Sequence, residues 1–155
     1  MTEPRIFANP SELAALAGGD PIGSSEWIAI SQEQINTFAD ATGDHQWIHC
    51  DEEKAAAGPF GTTIAHGFLT LSLLPQMWKT IYRVDGVKMG LNYGLNKVRF
   101  PSPVPVGSKV RCTSAVSGVE EPGPGTVQIT LTNTIEIEGG SKPACIAESV
   151  VRYLL

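Results

Sequence analysis

All three histidines of this chain, His45, His49 and His66, fall between Asp44 and Gly67. Within that stretch one aspartate, one histidine and one glycine have the types and spacing to act together. Asp44 and His49 are five residues apart. On a straight helix that spacing leaves them about 140° apart, and on a strand it points them to opposite faces, so they converge only where the chain turns between them. Gly43 is placed to end a helix and make that turn. A carboxylate and an imidazole brought together in this way share a water: each holds one of its hydrogens, and one group takes a proton while the other delivers one. Gly67 adds a third element by position. It stands where a long apolar segment starts, so its N–H lacks an intrahelical partner, lies at the positive end of the helix dipole and, with no Cβ, can be approached closely. An oxygen gaining negative charge would be stabilised there. One such donor is worth about 10² to 10³ in rate and a positioned acid or base about 10² to 10⁴, which together is an enzyme-sized effect.

Taken singly, each residue has a plainer reading. Asp44 after Gly43 fits a turn or cap, His49 a hydrogen-bonded or solvated histidine, and Gly67 a helix-start glycine. His45 and His49, four apart, are conceivable metal ligands with His66, but no HExxH pattern accompanies them and Asp44 is the only nearby alternative ligand, so no metal is expected. Trp47 and Trp78 read as packing residues. Lys97, Arg99, Lys109 and Arg111 read as a solvated sheet face rather than a phosphate site.

The elements that must position this turn follow from patterning. A short helix over residues 11–17, capped by Ser11 or Asn9 and closed by Gly18-Gly19, precedes a brief strand over 27–30. Ser31-Gln32-Glu33-Gln34 matches a capping box and predicts a helix over 32–42 that buries Ile35, Phe38 and Ala39 and ends at Gly43. Asp51 caps a further short helix through Ala57, stopped by Gly58-Pro59. Residues 67–82 are apolar around nearly the whole circumference, which predicts one enclosed helix, about 24 Å long at about 1.5 Å per residue, kinked at Pro75.

After Gly86 the period becomes two. Val87, Met89, Leu91, Tyr93 and Leu95 alternate with small or polar residues, the pattern of a strand with one buried face, and the phase slips near Asn96-Lys97, as a bulge would make it. Strands over 109–119, 127–137 and 144–155 follow, with a hairpin connection at Glu121-Pro-Gly-Pro-Gly125. Four long strands joined by turns are most simply antiparallel, and their apolar face needs a cover, for which the helix from Gly67 is the candidate. The expected class is α+β: one domain over 1–155, a sheet wrapped round a central helix.

Composition sets the frame. The chain has 155 residues, 42% of them hydrophobic and 17% charged, with a mean hydropathy of +0.00, which suits one packed domain and not a disordered chain. Eleven basic against sixteen acidic residues give a net charge of −5 without a basic run, so nucleic acid is not an expected partner. Cys50, Cys112 and Cys145 are odd in number and lack CxxC spacing, fitting small buried hydrophobes in a reducing compartment. The first twenty residues form neither a signal peptide nor a membrane span. A soluble, cytoplasmic protein is expected.

Taken jointly, Gly43-Asp44-His45-Gln46-Trp47-Ile48-His49 and Ile64-Ala65-His66-Gly67 resemble the hydratase motif of the MaoC-like family, the (R)-specific enoyl-CoA hydratases, in its single-hotdog actinobacterial type. Val98-Arg-Phe-Pro-Ser-Pro-Val104 and Gly107 resemble that family's strand-turn-strand segment. The resemblance implies a hotdog fold, a homodimer joined sheet edge to sheet edge, and reversible addition of water to a trans-2-enoyl thioester to give the (R)-3-hydroxyacyl thioester. Carried over, Asp44 and His49 would activate the water and protonate Cα, and the Gly67 N–H would hold the thioester oxygen. Gln46, Ala65 and His66 would bind substrate. No metal or redox cofactor is implied, coenzyme A being part of the substrate. Gln46 stands where the family has asparagine and Trp47 where it has proline, departures that bear on acyl-chain preference. The alternatives are a 3-hydroxyacyl-ACP dehydratase, a hotdog thioesterase, and a non-catalytic acyl-CoA binding subunit.

Overall fold

The computed structural model describes residues 3–155. The chain enters through β1 (Arg5–Phe7) and α1 (Pro10–Ala14), and Asn9, rather than Ser11, caps α1 by accepting from the Glu12 N–H at 3.0 Å. Helix α1 is shorter than the expected 11–17 because turns take over after Ala14. Two short strands follow, β2 (Gly23–Ser24) and β3 (Ile28–Ala29). Helix α2 (Gln32–Thr42) has the predicted bounds: the Ser31 hydroxyl accepts from the Gln34 N–H, and Gly43 closes the helix at φ +81°, where any other residue would be strained. It buries Ile35 and Ala39, while Phe38 is half-buried.

The one-turn α3 (Trp47–Cys50) and α4 (Glu52–Ala56, capped by Asp51) lead to the central helical segment. The single kinked helix expected there is two: α5 (Gly67–Ser72) and α6 (Leu74–Ile81), divided at Leu73. Pro75 explains the division, since it cannot donate the N–H that would continue the ladder through this turn. Leu69 and Thr70 of α5 and Leu74, Met77 and Ile81 of α6 are buried.

The strands β4 (Tyr82–Val84), β5 (Met89–Arg99), β6 (Lys109–Gly123), β7 (Thr126–Ile137) and β8 (Cys145–Leu154) complete the chain. β1 and β4 pair in parallel as a separate ribbon. The main sheet is antiparallel in the order β2-β6-β7-β8-β5, with β3 also on β6. Helix α5 lies against β8 and α6 against β6, and Val110, Cys112, Val116, Ile129, Leu131, Ile135 and Ala147 join the helical side chains in one core. This sheet curled round a helix is the hotdog fold.

Two sequence expectations change. Strand β6 runs through the expected turn to Gly123, and the reversal is carried by Pro124-Gly125, with Gly125 at φ +73°. Strand β5 has no buried face: Met89, Leu91, Tyr93 and Leu95 are 46–58% exposed, and only Val87 before the strand and Val98 within it are half-buried. It is the terminal strand of the sheet, so its alternation cannot be satisfied within one copy of the chain. The expected bulge is present between Leu95 and Lys97, with a second between Asn92 and Gly94.

Cys112 and Cys145 are buried and Cys50 half-buried, all free; burial pushes the Cys112 and Cys145 thiols up to about 11, which leaves them protonated. Lys97, Arg99 and Lys109 are exposed, whereas Arg111 pairs with Glu136 and stacks over Trp27 at 4.4 Å. Among the described residues no helix is long and apolar enough to cross a membrane.

Candidate active site

Asp44 follows directly from the left-handed Gly43, whose N–H bonds back to the Ala39 carbonyl at 2.8 Å. Its side chain is exposed and accepts the Gln46 N–H at 3.3 Å. The single turn of α3 then carries His49 inward, to 7% exposure. Three bonds fix that histidine's surroundings. Its Nδ1–H donates to the Ile64 carbonyl at 2.7 Å, its own carbonyl accepts from the Gln32 amide at 2.7 Å, and the Gln32 oxygen accepts from the Thr63 hydroxyl at 2.5 Å. A carbonyl only accepts, so Nδ1 carries the proton and Nε2 keeps its lone pair.

A carboxylate oxygen of Asp44, a ring nitrogen of His49 and a ring nitrogen of His66 all lie within 4.8 Å of one another. A single water at about 2.8 Å from each partner spans such a gap. The turn inferred from the five-residue spacing therefore does bring Asp44 and His49 together. Burial holds the imidazole of His49 below its ordinary proton affinity, seconded by His66 and opposed by the Ile64 carbonyl and Asp44. It is neutral at neutral pH, the form a base requires.

His66 is buried, stacks on His49 with centroids 3.9 Å apart and planes 25° apart, and donates from Nε2 to the Asp44 carbonyl at 2.9 Å. Its Nδ1 is buried without a partner, which costs about 1–3 kcal/mol. One ligand atom from each of Asp44, His49 and His66 lies within 4.8 Å of the others, so the same three residues could together hold a metal ion.

Gly67 opens α5, with His66 as its N-cap and no side-chain capping bond, so the N–H end of the helix is uncovered by any cap. Because α5 is only six residues long, the donor itself matters more here than a long-helix dipole. The missing Cβ has a definite use: one added at Gly67 would lie 3.1 Å from the Phe100 ring. Gly67, His49 and Ala65 share a cavity of about 270 Å³ with Thr70, Phe100 and Val104. Gln46 is exposed at the start of α3 and, like His66, is not part of that wall. Trp47 also lies outside it, packed against Gly58, where a Cβ would come within 2.9 Å of the indole, and under the Lys54 ammonium at 4.8 Å. The bulk that replaces proline therefore anchors α3 to α4. Gln32, Thr63, Thr70 and Phe100 carry no site role in the sequence reading, although Gln32 lies inside the capping box, Thr63 beside the Ile64–Gly67 motif and Phe100 inside the Val98–Val104 segment.

The family model described as MaoC like domain matches residues 14–137. The chain belongs to the MaoC-like family. It is 63% identical over 150 residues to 3-hydroxyacyl-thioester dehydratase Z of Mycobacterium tuberculosis, covering 97% of this chain and 99% of that one. Among solved structures it resembles the (R)-hydratase from A. caviae involved in PHA biosynthesis, with TM-score 0.65 and 27% identity over 87% of this chain and 98% of that chain. It shares its fold with the MaoC-like dehydratase from Rhodospirillum rubrum, with TM-score 0.73 and 21% identity over 92% and 95%. As a MaoC-like dehydratase the protein is a hydro-lyase.

Proposed function

We propose that this protein is an (R)-specific enoyl-CoA hydratase, adding water reversibly across trans-2-enoyl-CoA to give (R)-3-hydroxyacyl-CoA. The observation that carries the reading is the approach of the Asp44 carboxylate and a His49 nitrogen within one water's span. In the hydration direction the neutral imidazole takes a proton as the water oxygen bonds to C3, and the C2–C3 π pair moves toward C1 and gives the thioester oxygen enolate character. The Gly67 N–H meets that oxygen. A proton returns to C2 as the enolate collapses, so a water is consumed and no electrons leave the substrate. The chemistry needs neither a redox cofactor nor a metal, and coenzyme A enters as part of the substrate. Ala65, on the cavity wall, contacts the acyl thioester. Gln46, exposed beside Asp44, is a solvent-side contact.

The test is loss of enoyl absorbance with crotonyl-CoA, followed by chiral analysis of the product. Turnover to the (R)-alcohol is expected. No hydration at any chain length, or release of free CoA without hydration, would sink the reading, and a strong preference for the thioester of acyl carrier protein would replace the carrier.

The working unit in this reading is a homodimer built on β5. That strand ends the sheet and exposes Met89, Leu91, Tyr93 and Leu95, a long apolar edge of the kind that soluble proteins cover. Leu91→Glu combined with Leu95→Glu should convert the sedimenting species from dimer to monomer; an unchanged dimer would place the interface elsewhere.

A further inference from the structure

We propose that His66 is a positioning residue that couples Asp44 to His49. This rests on the hydration reading and says what makes its two catalytic groups a pair. His66 is buried to 3% exposure in the segment that leads into α5 and touches each part of the site by a different route. Its Nε2–H holds the Asp44 carbonyl at 2.9 Å, its ring lies on that of His49 at 3.9 Å, and its carbonyl starts α5 by accepting from Leu69 and Thr70, one residue before Gly67. The Phe38 ring, 4.8 Å away, adds an apolar neighbour from α2.

The unpartnered Nδ1 is informative. A phenylalanine would fill this space without that unpaired nitrogen but would offer no donor, and a glutamine would donate but would offer no ring. Histidine combines a flat ring for His49 with an N–H at the edge that faces Asp44. Because the acceptor is a carbonyl, Nε2 is the nitrogen that carries the shared proton. The titratable groups facing His49 are Asp44 from the α2–α3 turn, which raises its proton affinity, and His66, which lowers it. Asp40 and His45 pair with each other at 2.8 Å on the exposed side.

Two variants separate the two contacts. His66→Phe keeps the stacked ring and removes the donor; His66→Gln keeps a donor and removes the ring. Misplacement by about 1 Å can cost about 10² in rate, so kcat on crotonyl-CoA should fall about 10- to 100-fold in the Phe variant and less in the Gln variant, with KM within about threefold in both. Loss of the imidazole raises the proton affinity of His49, so the acid limb of kcat/KM, where the base becomes protonated, should move to higher pH in both variants. Nitrogen-15 spectra of the unaltered protein supply a readout that needs no substrate: His66 should carry its proton on Nε2 and His49 on Nδ1, and His49 should titrate at higher pH once His66 is replaced. Variants within twofold of the parent in kcat, a rise in KM with kcat unchanged, or a His49 titration that does not move would each overturn the coupling. Absence of hydration by the unaltered protein would instead overturn the functional reading, while the spectra would still decide the coupling.

Discussion

The sheet from β6 to β8 and the turn from Gly43 to Gly67 are held by opposite strategies. In the sheet, β7 pairs with β6 on one side and β8 on the other, and from Gln128 to Ile135 every position has a partner on both sides. The turn has no such redundancy. His49 depends on the Ile64 carbonyl and on Gln32, and Asp44 on the Gly43 reversal and on His66. A ladder spreads the consequence of one lost contact over many bonds, whereas isolated polar links each carry a specific placement. Stability should therefore reside in the sheet and chemistry in the turn, with little exchange between them.

The largest expected effect tests the chemical half of that division. Asp44→Asn and His49→Ala should each lower kcat/KM for crotonyl-CoA by about 10² to 10⁴, read by loss of enoyl absorbance. Asp44 is exposed, so Asp44→Asn should also leave the melting temperature within a few degrees. Full activity in either variant would remove the turn from the reaction.

The opposite substitution is Leu131→Ala, in the middle of β7 with a fully buried side chain. Cavity formation there should cost about 2–5 kcal/mol, read as a drop in the midpoint of denaturant unfolding. Molecules that remain folded should keep the parent kcat. A proportionate fall in kcat at full folded fraction would show that the sheet transmits strain to the turn and would break the separation.

The two regions also differed in how far the sequence disclosed them. β7 was legible because burial on one face imposes a period of two, and α2 because Ser31 and Gly43 mark its ends with residue types that backbone geometry demands. The period alone could not tell β5 from β7, since alternation reports that a face will be covered and not whether this chain or another covers it. Pro75 announced a disturbance in the central helix, and the chain answers it with a division at Leu73 rather than a kink within one helix. In the turn, Asp44, His49 and Gly67 were legible by type and spacing. Their supports were not, because Ile64 and Asp44 act through main-chain carbonyls, which every residue has, and because Phe100 reaches Gly67 from the end of a distant strand.

Gln32 lies where the two strategies meet, and it gives the smallest and sharpest test. As the first residue of α2 it belongs to regular structure, yet its amide holds the His49 carbonyl and its oxygen takes the Thr63 hydroxyl, one residue before the Ile64 carbonyl that orients the imidazole. Gln32→Ala deletes both bonds at once, together with an exposed bond from the same amide to Asn36, and leaves the Ser31 cap in place. Two part-buried hydrogen bonds correspond to about 1–3 kcal/mol, part of which water recovers, so a melting shift of only a few degrees is expected. If the turn is positioned by separate links, kcat should fall several-fold more than the stability change accounts for, with KM nearly unchanged, because His49 would still be present but less closely aimed. Gln32→Glu refines the comparison: it retains an acceptor for Thr63 but offers no donor to the His49 carbonyl, so it should reproduce the kcat loss of the alanine variant. Recovery of full kcat by the glutamate would assign the placement of His49 to the Thr63 side of the bridge.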